Sequence, residues 1–289
     1  MADRLPDDVE PFFRRVGPDR LVSPLILSVP HAGRSYGEAL LADARLPESQ
    51  LMLLEDRLVD RLIWRAVANG ATALIAETPR ALIDLNRDEQ DMDPLAVAPP
   101  HPETPFQPSP RARSGLGLVP TRLSGIGAIW RGRLRGAEVQ RRITAVHRPY
   151  HAALAALLAE AKRQFGIAIL LDCHSMPPRY GSGRAGLVLG DRHGTSADSA
   201  FRDAALGVLN ASGHKVALNQ PYAGGHITAM HGRPENGVHA VQIEIDRSLY
   251  LDAALVEAGE GFDAVSHLIA AVAEALVETA LGAHLLAAE

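Results

Sequence analysis

The chain has one cysteine, Cys173, among 289 residues, which excludes an intramolecular disulfide framework, a zinc ribbon and an iron–sulfur site. It contains no HExxH and no CxxC. Basic residues are not in excess: 29 Lys and Arg face 34 Asp and Glu, for a net charge of −5, so no general grip on nucleic acid is expected. The first residues, MADRLPDDVEPFFRR, are acidic and lack an apolar core, unlike a secretory leader. No apolar run reads as approaching the 18 or so residues that span a bilayer. The expectation is a cytoplasmic protein with neither nucleic acid nor membrane as partner. Its oligomeric state is left open.

At 47% apolar and 22% charged residues, the composition is that of an ordinary globular chain long enough to bury a core. Short apolar runs alternate with helix-period segments, which predicts a single α/β domain over residues 1–289 with a central, largely parallel sheet. Strands are predicted at Leu25–Pro30, Thr72–Glu77, Ala81–Leu85, Ile167–Asp172, Leu187–Leu189, Val216–Leu218 and Ala240–Ile245. Helices are predicted at Pro47–Asn69, Gly136–Phe165 (broken or kinked at Pro149), Ser196–Asn210 and Phe262–Leu281. Residues 93–127 hold eight prolines, and read as a functional loop or lid within the domain, with an interdomain linker as the alternative.

Two histidines stand where open α/β sheets bind ligands. His31 directly follows LILSVP, and His174 follows IAILLDC. Imidazole at a strand exit is a ready donor to zinc, although a hydrogen-bonded rim histidine is the plain alternative. A two-histidine site needs a third ligand, usually a carboxylate. Glu55 and Asp56 both interrupt an apolar helical pattern, and periodicity does not choose between them. Glu244, between Ile243 and Ile245 in VQIEID, is either a general base facing a cleft or a solvated outward residue. Asn86-Arg87 closes ALIDLNR, and an arginine there suits a carboxylate ligand or an ion pair with nearby acids. Glycines in GGHITAMHGRPENG flank His226, His231 and Arg233, in what is otherwise a surface loop.

Together these segments resemble the N-formylglutamate amidohydrolases. SVPHAG, LEDRLVDRL, DLNR, HRPYH, LLDCHS, GGHITAMHGRP and VQIEI occur in that family's order, from about residue 24 to 250. The resemblance implies a zinc-carboxypeptidase-like fold and one zinc ion, with another divalent metal as the alternative. It implies His31, Asp56 and His174 as metal ligands, alignment through VDRL favouring Asp56 over Glu55. Glu244 becomes the catalytic glutamate, Asn86 and Arg87 the substrate-binding pair, and Asp172 a support for a ligating histidine. Arg233 or His226 is the expected donor to the tetrahedral oxyanion. The substrate implied is a small molecule carrying a carboxylate, N-formyl-L-glutamate first, within histidine catabolism. Another N-acyl amino acid or small peptide, or a non-catalytic metal- or ligand-binding role, are the alternatives. The chain departs from the resemblance where many relatives read GGYITRHYGRP. His226 and His231 replace aromatics, while Ala229 and Met230 replace an arginine and a histidine.

Overall fold

A computed structural model describes residues 12–99, 105–179, 181 and 184–287. Most of the acidic N-terminal stretch and residues 100–104 of the proline-rich segment lie outside the described residues.

Among the described residues, nine strands occur: β1 (Phe13–Val16), β2 (Leu25–Val29), β3 (Thr72–Ala76), β4 (Arg122–Leu123), β5 (Gly127–Ala128), β6 (Ala168–Met176), β7 (Leu187–Gly190), β8 (Val216–Leu218) and β9 (Val238–Asp246). Seven of them form one mixed sheet in the order β1-β3-β2-β6-β9-β7-β8. Its centre is parallel, β3 with β2, β2 with β6 and β6 with β9. Antiparallel pairing enters at β1 with β3 and at β7 with β9. The two-residue strands β4 and β5 pair separately.

The apolar runs of β2, β3 and β6 are buried at every residue, because helices or ordered loops cover both sheet faces. Leu25, Leu27, Ile169, Leu171 and Ile243 pack against the helices Ser199–Ala211 and Phe262–Ala287. Ile26, Leu74, Leu170 and Ala240 face the opposite way, toward Tyr150 and Leu154 of the helix Arg148–Phe165. Gly166 ends that helix at φ 76°, a conformation in which a Cβ is strained. Pro149 does not break the helix. A π turn at Ile143–His147 precedes Arg148–Phe165, and Pro149 falls in the first turn of that α-helical segment, where its missing N–H costs least.

Several expectations need correction. The helix foreseen over Pro47–Asn69 is broken into Glu48–Leu51, Met52–Leu54, Val59–Leu62 and Trp64–Ala68. The chain extends at Glu55, and Leu58 takes the left-handed φ of 59°. The Asp56 amide leaves the helical ladder and donates to the His31 carbonyl at 2.9 Å. Ala81–Leu85 is not a strand, since the Asp84 amide bonds the loop carbonyl of Leu118 instead. Phe262–Gly282 is long and apolar enough to cross a membrane by length and composition, contrary to expectation. Val265, Ile269, Val272 and Leu276 of this helix are buried against the protein's own core. In residues 93–127, Leu118 and Val119 are fully buried.

Candidate active site

The polar side chains gather where β2, β6 and β9 end, on the face shared with the helix Arg148–Phe165. His31 lies just beyond the end of β2. Asp172 and His174 are two residues apart in β6, so both point to the same face. The break at residues 55–58 brings the Asp56 carboxylate to meet them. Its Oδ2 lies 3.2 Å from His31 Nδ1 and 2.9 Å from His174 Nδ1. Both histidines are held from behind: His31 Nε2 is 2.7 Å from Asp84 Oδ1, and His174 Nε2 is 2.9 Å from Asp172 Oδ2. Asp172 in turn accepts from Ser28 Oγ at 2.9 Å, and Ser28 contacts the Tyr150 hydroxyl at 3.0 Å.

This donor set fits a metal. His31, Asp56 and His174 each offer a ligand atom, all within 4.8 Å of one another, and all three residues are buried. A carboxylate behind each imidazole fixes ring orientation and raises ligand basicity, the usual arrangement behind metal-bound histidine. Glu55 does not take part. Its carboxylate accepts from the Tyr36 hydroxyl at 2.7 Å and from Arg57 at 3.0 Å. Burial alone would raise the Asp56 carboxyl. The His174 and His31 hydrogen bonds and charges outweigh it and hold Asp56 well below the usual range.

Glu244 stands beside this group. It is the register partner of His174 in the β6–β9 ladder and is only 8% exposed. Gln242, two residues earlier on the same face, donates to Glu244 Oε1 at 3.0 Å. Burial pushes the Glu244 carboxyl up to about 7 against the pull of His174, with the charge of Asp56 adding to the rise. The solvated alternative for Glu244 is thereby removed.

A cavity of about 570 Å³ opens over these residues, lined by His31, Asp56, His174, Glu244 and Gln242. Four arginines also line it: Arg80, Arg87, Arg111 and Arg247. Arg80 donates to Asp84 Oδ2 at 2.9 Å, and Arg247 Nη2 lies 3.3 Å from Asp56 Oδ1. The buried Arg87 Nε lies 3.6 Å from Asp84 Oδ2, an ion pair beyond hydrogen-bond distance. Arg111 comes from the proline-rich segment, on the short helix Pro110–Arg113, and lies over the Tyr222 ring at 5.4 Å.

The other expected residues are placed differently. Asn86 borders the cavity but is already engaged. Its Oδ1 accepts from the Ile227 amide at 2.8 Å, and its Nδ2 is 2.9 Å from His174 Nε2. Gly225 lies directly under it, and any Cβ there would come within 2.3 Å of the Asn86 amide. Arg233 is not brought to the cavity; it is exposed, and its guanidinium bonds the carbonyls of Ala229 and Gly232 at the end of the helix His226–His231. His226 is not among the cavity's lining residues either and opens on a neighbouring groove shared with Arg87, Arg113 and Arg192.

Fold and site together define an α/β enzyme whose buried His/Asp/His group could hold a metal beside a carboxylate poised near neutrality. Residues 23–251 match the N-formylglutamate amidohydrolase family. The chain belongs to that family. It is 32% identical over 236 residues to an N-formylglutamate deformylase of Pseudomonas putida, covering 79% of this chain and 82% of that one. The corresponding protein of Pseudomonas aeruginosa is 34% identical over 237 residues, with the same coverage. The crystal structure of N-formylglutamate amidohydrolase from Ralstonia eutropha superposes with a TM-score of 0.83 at 34% identity, covering 95% of this chain and 97% of that one.

Proposed function

We propose that this protein hydrolyses N-formyl-L-glutamate to formate and L-glutamate, with zinc held by His31, Asp56 and His174. The observation that carries the reading is Glu244, a buried carboxyl near neutrality beside that donor group, in a cavity lined by four arginines. When bound, the metal supplies Lewis-acid polarisation of the formyl carbonyl and of the attacking water. Asp84 and Asp172 keep the two imidazoles oriented toward it.

Glu244 takes a proton from the water as the water oxygen bonds to the formyl carbon. It then delivers that proton to the amide nitrogen as the C–N bond breaks, because an amine leaves poorly as an anion. Arg80, whose charge acts on Glu244, is assigned the oxyanion role in place of Arg233 and His226; one such donor is worth roughly 3 kcal/mol. The substrate carries two carboxylates. Arg87 takes one and Arg111 takes the other, both being lining residues of the cavity. Asn86 serves as a positioning residue for His174. The described residues 105–127 of the proline-rich segment deliver Arg111 as a lid over the cavity.

A second reading keeps the chemistry and changes the acyl amino acid. Ala229 borders the groove beside Arg87 and Arg113 at a point where the resembled sequences carry arginine. Turnover of formyl-glutamate, formyl-aspartate and acetyl-glutamate, measured side by side, separates the two. Preference for formyl-glutamate supports the first reading. Turnover of acetyl-glutamate alone supports the second.

A further inference from the structure

Four imidazoles gather against the backbone of Leu85–Arg87, beside a groove of about 770 Å³ that shares no lining residue with the catalytic cavity. His147 and His151 are four residues apart, so they share a helix face. His226 comes from the start of the helix facing them. The ring centroids lie 4.4 Å apart for His147 and His151, 5.2 Å for His151 and His226, and 5.8 Å for His147 and His226. Their donor atoms fall within 4.8 Å of one another.

The hydrogen bonds say where the lone pairs are. His147 donates Nε2–H to the Arg87 carbonyl at 2.8 Å. In the neutral imidazole Nδ1 then holds the lone pair, and that atom is buried with no hydrogen-bond partner. His151 donates Nε2–H to the Leu85 carbonyl at 2.9 Å, which leaves its Nδ1 lone pair facing His231 at 3.0 Å. A carboxylate lies nearby: Glu89 Oε1 is 3.7 Å from His147 Nδ1. Both Glu89 oxygens accept from Arg148, Oε1 at 2.9 Å and Oε2 at 2.8 Å, so Glu89 would have to leave part of that pair to ligate. Burial and the neighbouring rings push His151 down to about 2 and His231 to about 4, so both are neutral and able to ligate at pH 7.

We propose that His147, His151 and His226 form a second metal site, for a divalent transition metal with zinc's preference for imidazole, and that Glu89 supplies the carboxylate. Ligation gives the His147 Nδ1 its missing partner and exchanges the His151–His231 hydrogen bond for a metal bond. Imidazole donors suit zinc, copper, nickel and cobalt, so coordination chemistry alone admits each of them. Because His147 and His151 hold the Arg87 and Leu85 carbonyls, an ion here braces the loop that carries Arg87. The site shares no ligand with the proposed catalytic metal, and only the count of two expected in wild type rests on that reading.

The test is metal content. Full-length protein is stripped with chelator, dialysed against buffered zinc at neutral pH and assayed for bound zinc per chain. Wild type should hold two ions. His226→Tyr, which installs the residue the resembled sequences carry, should hold one, and so should His174→Ala, because each removes a different ion. His147→Gln, which keeps a donor for the Arg87 carbonyl, should repeat the His226→Tyr result and serves if that variant does not fold. Zinc per chain no lower in His226→Tyr and His147→Gln than in wild type would overturn the proposal.

Discussion

Asp56 meets His31 twice: its amide donates to the His31 carbonyl at 2.9 Å, and its carboxylate lies 3.2 Å from the His31 ring. The backbone bond exists only because the helix breaks before residue 56. The break and the ligand are therefore one feature. A continuous helix through Pro47–Asn69 would keep the Asp56 amide in its own ladder and its side chain away from His174.

Removing the general base should separate chemistry from binding. Glu244→Gln is expected to keep metal at wild-type stoichiometry and to lose at least about a hundredfold in turnover, the scale of general acid–base catalysis. Steady-state kinetics with metal content measured on the same sample checks this. Near-normal kcat would remove Glu244 from the mechanism.

The same residue should act on stability in the metal-free protein. The unfolded chain releases this proton near pH 4.5, whereas the folded protein holds it to about 7. The stability linked to the protonated carboxyl is full below about pH 4.5 and declines as pH rises through about 7. Metal-stripped Glu244→Gln should therefore be more stable than metal-stripped wild type at pH 8, with the gap closing toward pH 4. Urea unfolding at both values measures it, and a gap that widens on acidification has the wrong sign.

Asp172 and Asp84 orient the two imidazoles from behind. Asp172→Asn is expected to weaken metal binding by about 10- to 100-fold, because the amide cannot match the carboxylate as a partner for His174 Nε2. Competition against a chromogenic chelator reads this directly. Unchanged affinity would mean that Asp172 serves packing alone.

The arginines divide by what they already hold. Arg87 lines the cavity and makes only long ion-pair contacts, at 3.6 Å to Asp84 and 3.9 Å to Asp91. Arg87→Lys, which cannot offer a bidentate fork, should therefore raise KM by about tenfold or more. Arg111→Ala should raise KM for formyl-glutamate more than for an analogue lacking the side-chain carboxylate. Equal effects on both compounds would detach Arg111 from that carboxylate.

Much of this arrangement was legible in the sequence because strands announce themselves. LILSVP gave β2 and placed His31 just past its end, but the strand foreseen to stop at Asp172 runs on to Met176, so His174 lies inside β6 and not beyond it. Alternation in VQIEID placed Glu244 opposite Ile243 and Ile245, and the same alternation puts Gln242 beside it, a neighbour that could have been read in advance. Asp56 was not separable from Glu55, because the periodicity of LEDRLVDRL assumes a helix that tertiary hydrogen bonds interrupt. Arg80, Arg111 and Arg247 gave no signal. They reach the cavity from loops or element ends, where no period relates sequence position to direction. Arg233 misled for a related reason: its neighbours Ala229 and Gly232 supply the carbonyls that hold it at the surface.

The central claim is that a metal at His31, Asp56 and His174 and the Glu244 carboxyl together deformylate N-formyl-L-glutamate. Formate release from that compound, measured after chelator treatment and again after zinc is restored, tests it most directly. Activity should disappear with the chelator, return with zinc, and stay at least about a hundredfold lower in zinc-loaded Glu244→Gln. Formate release that survives complete removal of the metal, or none in zinc-loaded wild type, would contradict it.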